Sequence, residues 1–396
     1  MNTIIIFIIF CFCLCIQTHH ASSSSSYSIS SSESKNIFPK EAHPTKSGYL
    51  PVSNNSSSAI FYAFYEAQNS TLPLSKTPLL IWLEGGPGTS SLIGNFYEVG
   101  PWRITESITL EPNPGSWNNY FGLLFLDNPI GTGFSIASSR QEIPTDQQGI
   151  ARHLFAAITS FLQLDPVYKH RPIYINGQSY GGKFGSTTGY YIMKRNAQLR
   201  APQRVNLAGV VIGDGSIELK TQLGTIPANA YYLGLINEKQ KNELEKDLLE
   251  VVRFTETLQW GKATDAAGRL RAVLQNMTGL ATLDDYTRKD HPYHYEDWVT
   301  KFLNIAEVDQ YDLLAGPVQI EACVKLFKWE GIEDYLNAER KIWKVNGELA
   351  GYVQQWKSLT NVVVLGGGHL MPADQPLNAK AMIEDWVLQR GLYQSV

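Results

Sequence analysis

Cysteine is scarce in this 396-residue chain, which has only four. Three of them, Cys11, Cys13 and Cys15, fall in one N-terminal apolar run, Ile4 to Ile16. That run is too short to cross a bilayer but has the length of a signal-peptide core, although no Lys or Arg precedes it. We read residues 1–21 as a cleaved secretory signal, against the alternative of a buried N-terminal strand. Its removal leaves Cys323 alone, which excludes an intrachain disulfide; Cys323 reads as a buried structural thiol rather than a nucleophile. A domain of this size buries enough apolar surface to stand without cross-links. Excess positive charge is lacking as well. With 33 Lys and Arg against 37 Asp and Glu, no basic field attracts a phosphate backbone, and nucleic acid is not an expected partner. No membrane association is expected once the signal is gone, and no internal repeat is present.

What is present is 43% apolar and 11% aromatic residues, ample for a packed core. Residues 22–46 begin with an almost unbroken serine stretch that has little to bury, and are expected to form a disordered leader. From residue 47 onward, short apolar runs are separated by Gly and Pro: Leu79 to Leu83, Leu123 to Leu126, Ile173 to Ile175, Val210 to Ile212 and Val362 to Leu365. They read as buried strands of a mostly parallel sheet. Between them lie helical patterns. In Ile150 to Leu164, Leu154, Phe155, Ile158, Phe161 and Leu162 recur at helical spacing, and Pro166 ends the run. Alternating strands and helices predict an α/β fold. Residues 218–305, rich in Lys, Glu, Gln and Leu, break the rhythm and predict a helical insertion capping the site. The core is thereby divided into 47–217 and 306–396. Sequons at Asn54, Asn55, Asn69 and Asn276 are glycosylation candidates and agree with passage through the secretory route.

One segment carries chemistry. Ile173-Tyr174-Ile175-Asn176 leads directly into Gly177-Gln178-Ser179-Tyr180-Gly181-Gly182, followed by a helical stretch from Lys183 to Lys194. A strand, a tight G-x-S-x-G turn and a helix form the elbow that lifts a nucleophilic serine above a sheet, and the strained turn leaves space only for small neighbours. The competing reading of Ser179 is an ordinary helix N-cap. A serine hydroxyl needs a base, which in this fold follows it in chain order. His291 and His294 lie in the polar insertion, whereas His369 follows the run Val362-Val363-Val364-Leu365-Gly366-Gly367-Gly368, on a loop able to bring its ring over the sheet edge. The developing oxyanion needs backbone donors. Glu84-Gly85-Gly86-Pro87-Gly88, just after the strand ending at Leu83, supplies them, together with the amide of Tyr180.

Longer blocks then match a known family. Trp82-Leu83-Glu84-Gly85-Gly86-Pro87-Gly88-Thr89-Ser90-Ser91, Phe96-Tyr97-Glu98-Val99-Gly100-Pro101, Asn113-Pro114-Gly115-Ser116-Trp117-Asn118, Leu126-Asp127-Asn128-Pro129-Ile130-Gly131-Thr132-Gly133-Phe134-Ser135 and Gly368-His369-Leu370-Met371-Pro372 resemble the serine carboxypeptidases. Within that family the chain is most similar to the plant serine carboxypeptidase-like proteins. The resemblance implies an α/β-hydrolase fold, with Ser179 as nucleophile, His369 as base, and Gly86 with Tyr180 as oxyanion donors. It also implies release of C-terminal residues from peptides with a free C-terminus through an acyl-enzyme, without metal or organic cofactor. An asparagine before the Gly-Gly and a glutamate before the serine hold the substrate carboxylate in the family. Here those positions are Glu84 and Gln178, beside Gly85, so acid and amide have exchanged places. A carboxylate that binds another carboxylate must be protonated, so an acidic optimum is expected.

The pattern departs from the family at the triad acid. Asp312, in Gln310-Tyr311-Asp312-Leu313-Leu314-Ala315-Gly316, matches the downstream half of the family's acid motif. The strand that should precede it is missing, because Phe302 to Val308 reads as the end of the insertion. Either residues 303–308 substitute for that strand, or the core loses a central member. Asp214, after Val210-Val211-Ile212-Gly213, is the rival acid. Thr89 stands where the family has a cysteine. Two alternatives to peptidase activity remain: acyl transfer from sugar esters, and a catalytically impaired or truncated secreted homologue. The expected destination is extracellular or vacuolar.

Overall fold

The structure is a computed structural model and describes residues 39–53, 55–289, 298–300 and 331–391. The chain divides into two compact units, one holding Leu223–Leu280 and the other Lys40–Gln222 with Ala281–Val396.

The larger unit is built on a six-stranded sheet. Its strands are β1 (Lys46–Pro51), β2 (Ala59–Tyr65), β3 (Leu79–Leu83), β6 (Gly122–Leu126), β7 (Ile173–Gln178) and β8 (Leu207–Gly213), in the order β1-β2-β6-β3-β7-β8. Strands β6, β3, β7 and β8 run parallel, and β1 and β2 are antiparallel additions. A small hairpin of β4 (Trp102–Ile104) and β5 (Leu110–Pro112) lies outside this sheet. The runs Leu79–Leu83 and Gly122–Leu126 are buried along their whole length, as expected of central strands covered on both faces.

Two helices make the crossovers. α1 (Gln147–Gln163) starts at Asp146, whose carboxylate accepts the Gly149 amide at 2.6 Å. It lays Leu154, Ala157, Ile158, Phe161 and Leu162 on the sheet face formed by Ile60, Tyr62 and Phe64. α2 (Gly181–Gln198) follows the elbow serine. At the opposite end of the sheet the fully buried Arg171 is satisfied by the Thr77 carbonyl at 2.7 Å and by Glu66 at 2.9 Å.

One expectation is corrected here. The Val362 run does not join the parallel sheet. It lies in β11 (Leu359–Val364), the edge of a separate antiparallel sheet with β10 (Glu348–Trp356) and β9 (Arg340–Val345). Among the described residues β8 pairs only with β7. None of its residues is fully buried, unlike those of β3 and β6. Among the described residues the sheet ends at β8. The helix Pro376–Leu388 joins the two sheets: its Ala381, Met382 and Trp386 pack on the Trp343, Ala350 and Val353 cluster, and Trp386 also meets Tyr174 of β7 edge to face, 5.4 Å between ring centres.

After α3 (Leu219–Gly224), the smaller unit is formed by α4 (Ile226–Tyr232), α5 (Glu238–Glu256) and α6 (Trp260–Thr278). A reciprocal cap between Asn237 and Gln240 starts α5, and Gly279 in the left-handed region ends α6. No helix of the described residues is long and apolar enough to cross a membrane.

Candidate active site

Ser179 sits between β7 and α2 at φ +55, a conformation that costs a non-glycine residue energy and persists only where its surroundings impose it. Here the imposition is visible. The Ser179 amide donates to the Gly213 carbonyl of β8 at 2.9 Å, and the Ser179 carbonyl accepts from Ser216 at 2.8 Å and Gly182 at 3.0 Å. A side chain at Gly177 would collide with the Gly181 backbone, so the small residues around the serine are a steric requirement of the turn.

The loop after β3 closes on this serine. A Cβ added at Gly85 would lie 2.7 Å from Ser179 Cβ, 2.9 Å from its Oγ and 2.9 Å from the Tyr180 nitrogen. Gly86 next to it has φ +99. The structure thus brings Ser179, Gly85 and the Tyr180 amide together, with Gly86 adjoining. Asp127, at the end of β6, holds the far side of the loop by accepting from Ser90 Oγ at 2.6 Å and the Ser91 amide at 2.9 Å. It also accepts from the Phe134 amide at 2.9 Å, and burial pushes its carboxyl up to about 6.

Three more side chains, of Glu84, Gln178 and Glu98, form a buried group. Glu84 is buried, not solvated; its carboxylate accepts from Trp82 Nε1 at 3.0 Å and the Gly85 amide at 3.1 Å. Gln178 Nε2 donates to Glu98 Oε1 at 2.9 Å. Burial raises the pKa of Glu84, while burial and then the neighbouring Glu84 charge raise Glu98 well above the usual carboxylate range. Sequence reasoning gave Glu98 no role. The available signal was a lone acid inside the apolar stretch Phe96 to Val99.

His369 follows β11, and its amide donates to the Asp284 carbonyl at 3.1 Å. An electrostatic influence of His369 opposes the rise in the pKa of Glu84, Glu98 and Asp214. Asp214 directly follows Gly213, the residue that accepts the Ser179 amide. It has φ +42, and burial pushes its carboxyl up to about 7 against the opposing influence of His369. Asp312 lies outside the described residues, as do His291, His294, Cys323, residues 303–308 and Asn54. Asn55, Asn69 and Asn276 are exposed. Among the described residues no cluster of His, Cys, Asp and Glu could hold a metal ion.

Comparison with known proteins gives a consistent result. The sequence profile of the serine carboxypeptidase family matches residues 37–311 and 281–389, overlapping where the chain departs from the family pattern. Serine carboxypeptidase-like 50 of Arabidopsis thaliana is 44% identical over 407 aligned positions, which take in 90% of each chain. The 407 positions exceed 90% of 396 residues, so that relative carries positions with no counterpart here. Serine carboxypeptidase S10 family member 1 of Dictyostelium discoideum is 28% identical, covering 86% of this chain and 93% of its own. Among solved structures, Kex1(delta)p, a prohormone-processing carboxypeptidase from Saccharomyces cerevisiae, superimposes with a TM-score of 0.71 at 21% identity. It covers 87% of this chain and 91% of its own.

Proposed function

Because the chain belongs to the serine carboxypeptidase family, we propose that it releases C-terminal residues from peptides through an acyl-enzyme on Ser179. The observation that carries this reading is the strained elbow serine with Gly85 packed against both its side chain and the Tyr180 nitrogen. Ser179 Oγ attacks the carbonyl carbon of the last peptide bond and His369 takes its proton. The amides of Gly86 and Tyr180 receive the negative charge that develops on oxygen. Collapse breaks the C–N bond, and the leaving amine takes the proton from His369. Water then attacks the ester, gives a proton to His369 and frees the shortened peptide as Ser179 is restored. For the third member of the triad the sequence favours Asp312, with Asp214 as the rival acid.

The C-terminal carboxylate of the substrate is held by Glu84, Gly85 and Gln178, with Glu98 behind Gln178. The raised pKa of Glu84 and Glu98 supports binding by protonated carboxyls and hence an acidic optimum. Exposed Asn55, Asn69 and Asn276 support passage through the secretory pathway to the cell exterior or vacuole.

A specific observation favours a second reading, a catalytically impaired homologue: among the described residues β8 has no outer neighbour and β11 sits in another sheet. One experiment separates the two. A fluorophosphonate probe is expected to label the purified protein but not S179A. A peptide is expected to lose its last residue faster at pH 5 than at pH 7.5, and only while its C-terminus is free. Absence of labelling selects the impaired homologue, and transfer of acyl groups from sugar esters in preference to hydrolysis selects an acyltransferase.

A further inference from the structure

The loop bearing His369 has little to hold it by its own side chains, since Gly366, Gly367 and Gly368 precede the histidine. It is held instead through its backbone. The Gly368 amide donates to Asp374 Oδ2 at 2.7 Å, and the His369 amide donates to the Asp284 carbonyl at 3.1 Å. A Cβ at Gly368 would lie 2.9 Å from Asp285 Cβ, 2.9 Å from Asp374 Oδ2 and 3.0 Å from the Asp284 carbonyl oxygen, so the loop is wedged between the two anchors.

Arg288 ties those anchors to each other. Its Nη2 pairs with Asp374 Oδ1, and its Nε lies 3.2 Å from Asp285 Oδ2. Asp285 is further fixed by Thr287, whose amide and hydroxyl donate to Oδ1 at 2.9 and 2.6 Å. The Asp374 side chain is 9% exposed, and a charge so far withdrawn from water depends on its cation. Guanidinium suits the role because one rigid plane reaches two carboxylates at once.

We propose that Arg288 is a positioning residue for His369: by locking Asp374 to the Asp284–Asp285 turn it fixes the two peptide groups that set where the imidazole stands. This rests on the reading of His369 as general base. Proton transfer is steep in distance, and a displacement of one ångström far from the reacting atoms costs about a hundredfold.

The test measures kcat, KM and the rate of fluorophosphonate acylation in R288M, R288K, D374N and the R288M/D374N pair. R288M is expected to slow acylation and kcat by about tenfold to a hundredfold, with KM changed by less than about threefold. R288K, which keeps the charge but cannot reach both carboxylates, is expected to fall between R288M and the parent. The pair is expected to lose no more than R288M alone, because both changes break one connection. Should R288M fail to fold, D374N carries the test, since its amide oxygen still accepts from Gly368; a loss confined to kcat supports the inference. Acylation of R288M within twofold of the parent overturns it, as do losses in R288M and D374N that multiply in the pair. A parent chain that resists the probe overturns the proposed activity and this inference together. A parent that reacts, with R288M reacting equally fast, sinks the inference alone.

Discussion

Glu98 shows how much a single buried acid adds to this site. It is 1% exposed, its Oε1 accepts from Gln178, and among the described residues its Oε2 has no hydrogen-bond partner. The unfolded chain releases this proton near the ordinary carboxylate value of about 4.3. The folded chain releases it only well above that value, because of burial and the Glu84 charge. Between those two pH values the native state holds more protons, so this group's stabilising contribution declines as pH rises. E98Q keeps the acceptor that Gln178 uses and cannot ionise. It is therefore expected to melt about 2 °C or more above the parent at pH 8 and to match it near pH 4 by calorimetry. An equal shift at both values would mean that ionisation of Glu98 is not the cause. A G-x-S-x-G turn after a strand announces itself in linear order, whereas the pairing of Gln178 with Glu98 spans 80 positions and has no sequence period to reveal it.

At the scale of elements, β3, β6, β7 and β8 were legible as short apolar runs, and of these β3 and β6 are buried along their whole length. The runs Leu79 to Leu83 and Leu123 to Leu126 are continuous apolar stretches because helices or loops cover each side, and β3 and β6 have nearly the same bounds. β11 looks alike in sequence, yet hydrogen bonding, not apolar content, decides which sheet a strand joins, and here it joins the hairpin partner β10. Strands β1, β9 and β10 each keep several exposed residues, and continuous apolar runs do not mark them. The outer side of β8 gives the sharpest test at this scale. Amides of Leu207–Gly213 that point away from β7 are expected to exchange with deuterium far faster than those of Leu79–Leu83, which are paired on both sides. Uniform protection of Leu207–Gly213 would instead mean that a segment outside the described residues supplies the missing neighbour.

For the whole molecule, the buried carboxyls act in concert. Glu84 and Glu98 are raised, burial pushes Asp127 up to about 6, and Asp214 is pushed up to about 7. Each binds its proton more tightly in the native state, so each favours the fold at pH below the ordinary carboxylate range and loses that contribution as pH climbs toward 7. The protein is therefore expected to melt at a higher temperature at pH 5 than at pH 7.5 in a calorimetric series; a maximum on the alkaline side would contradict the raised values. The family, the elbow serine, the glycine loop beside it and His369 as the candidate base were all readable from linear order. These are written in contiguous residues whose backbone demands are local: a strained turn, a close approach, a chain order. The folded chain alone reveals that Glu98 accepts from Gln178, that β11 pairs with β10, and that Arg288 pairs with Asp374 and Asp285 next to the histidine loop. The Gln178–Glu98 and Arg288–Asp374 contacts join residues distant along the chain, and such contacts are selected by packing and desolvation in three dimensions, which no local pattern encodes.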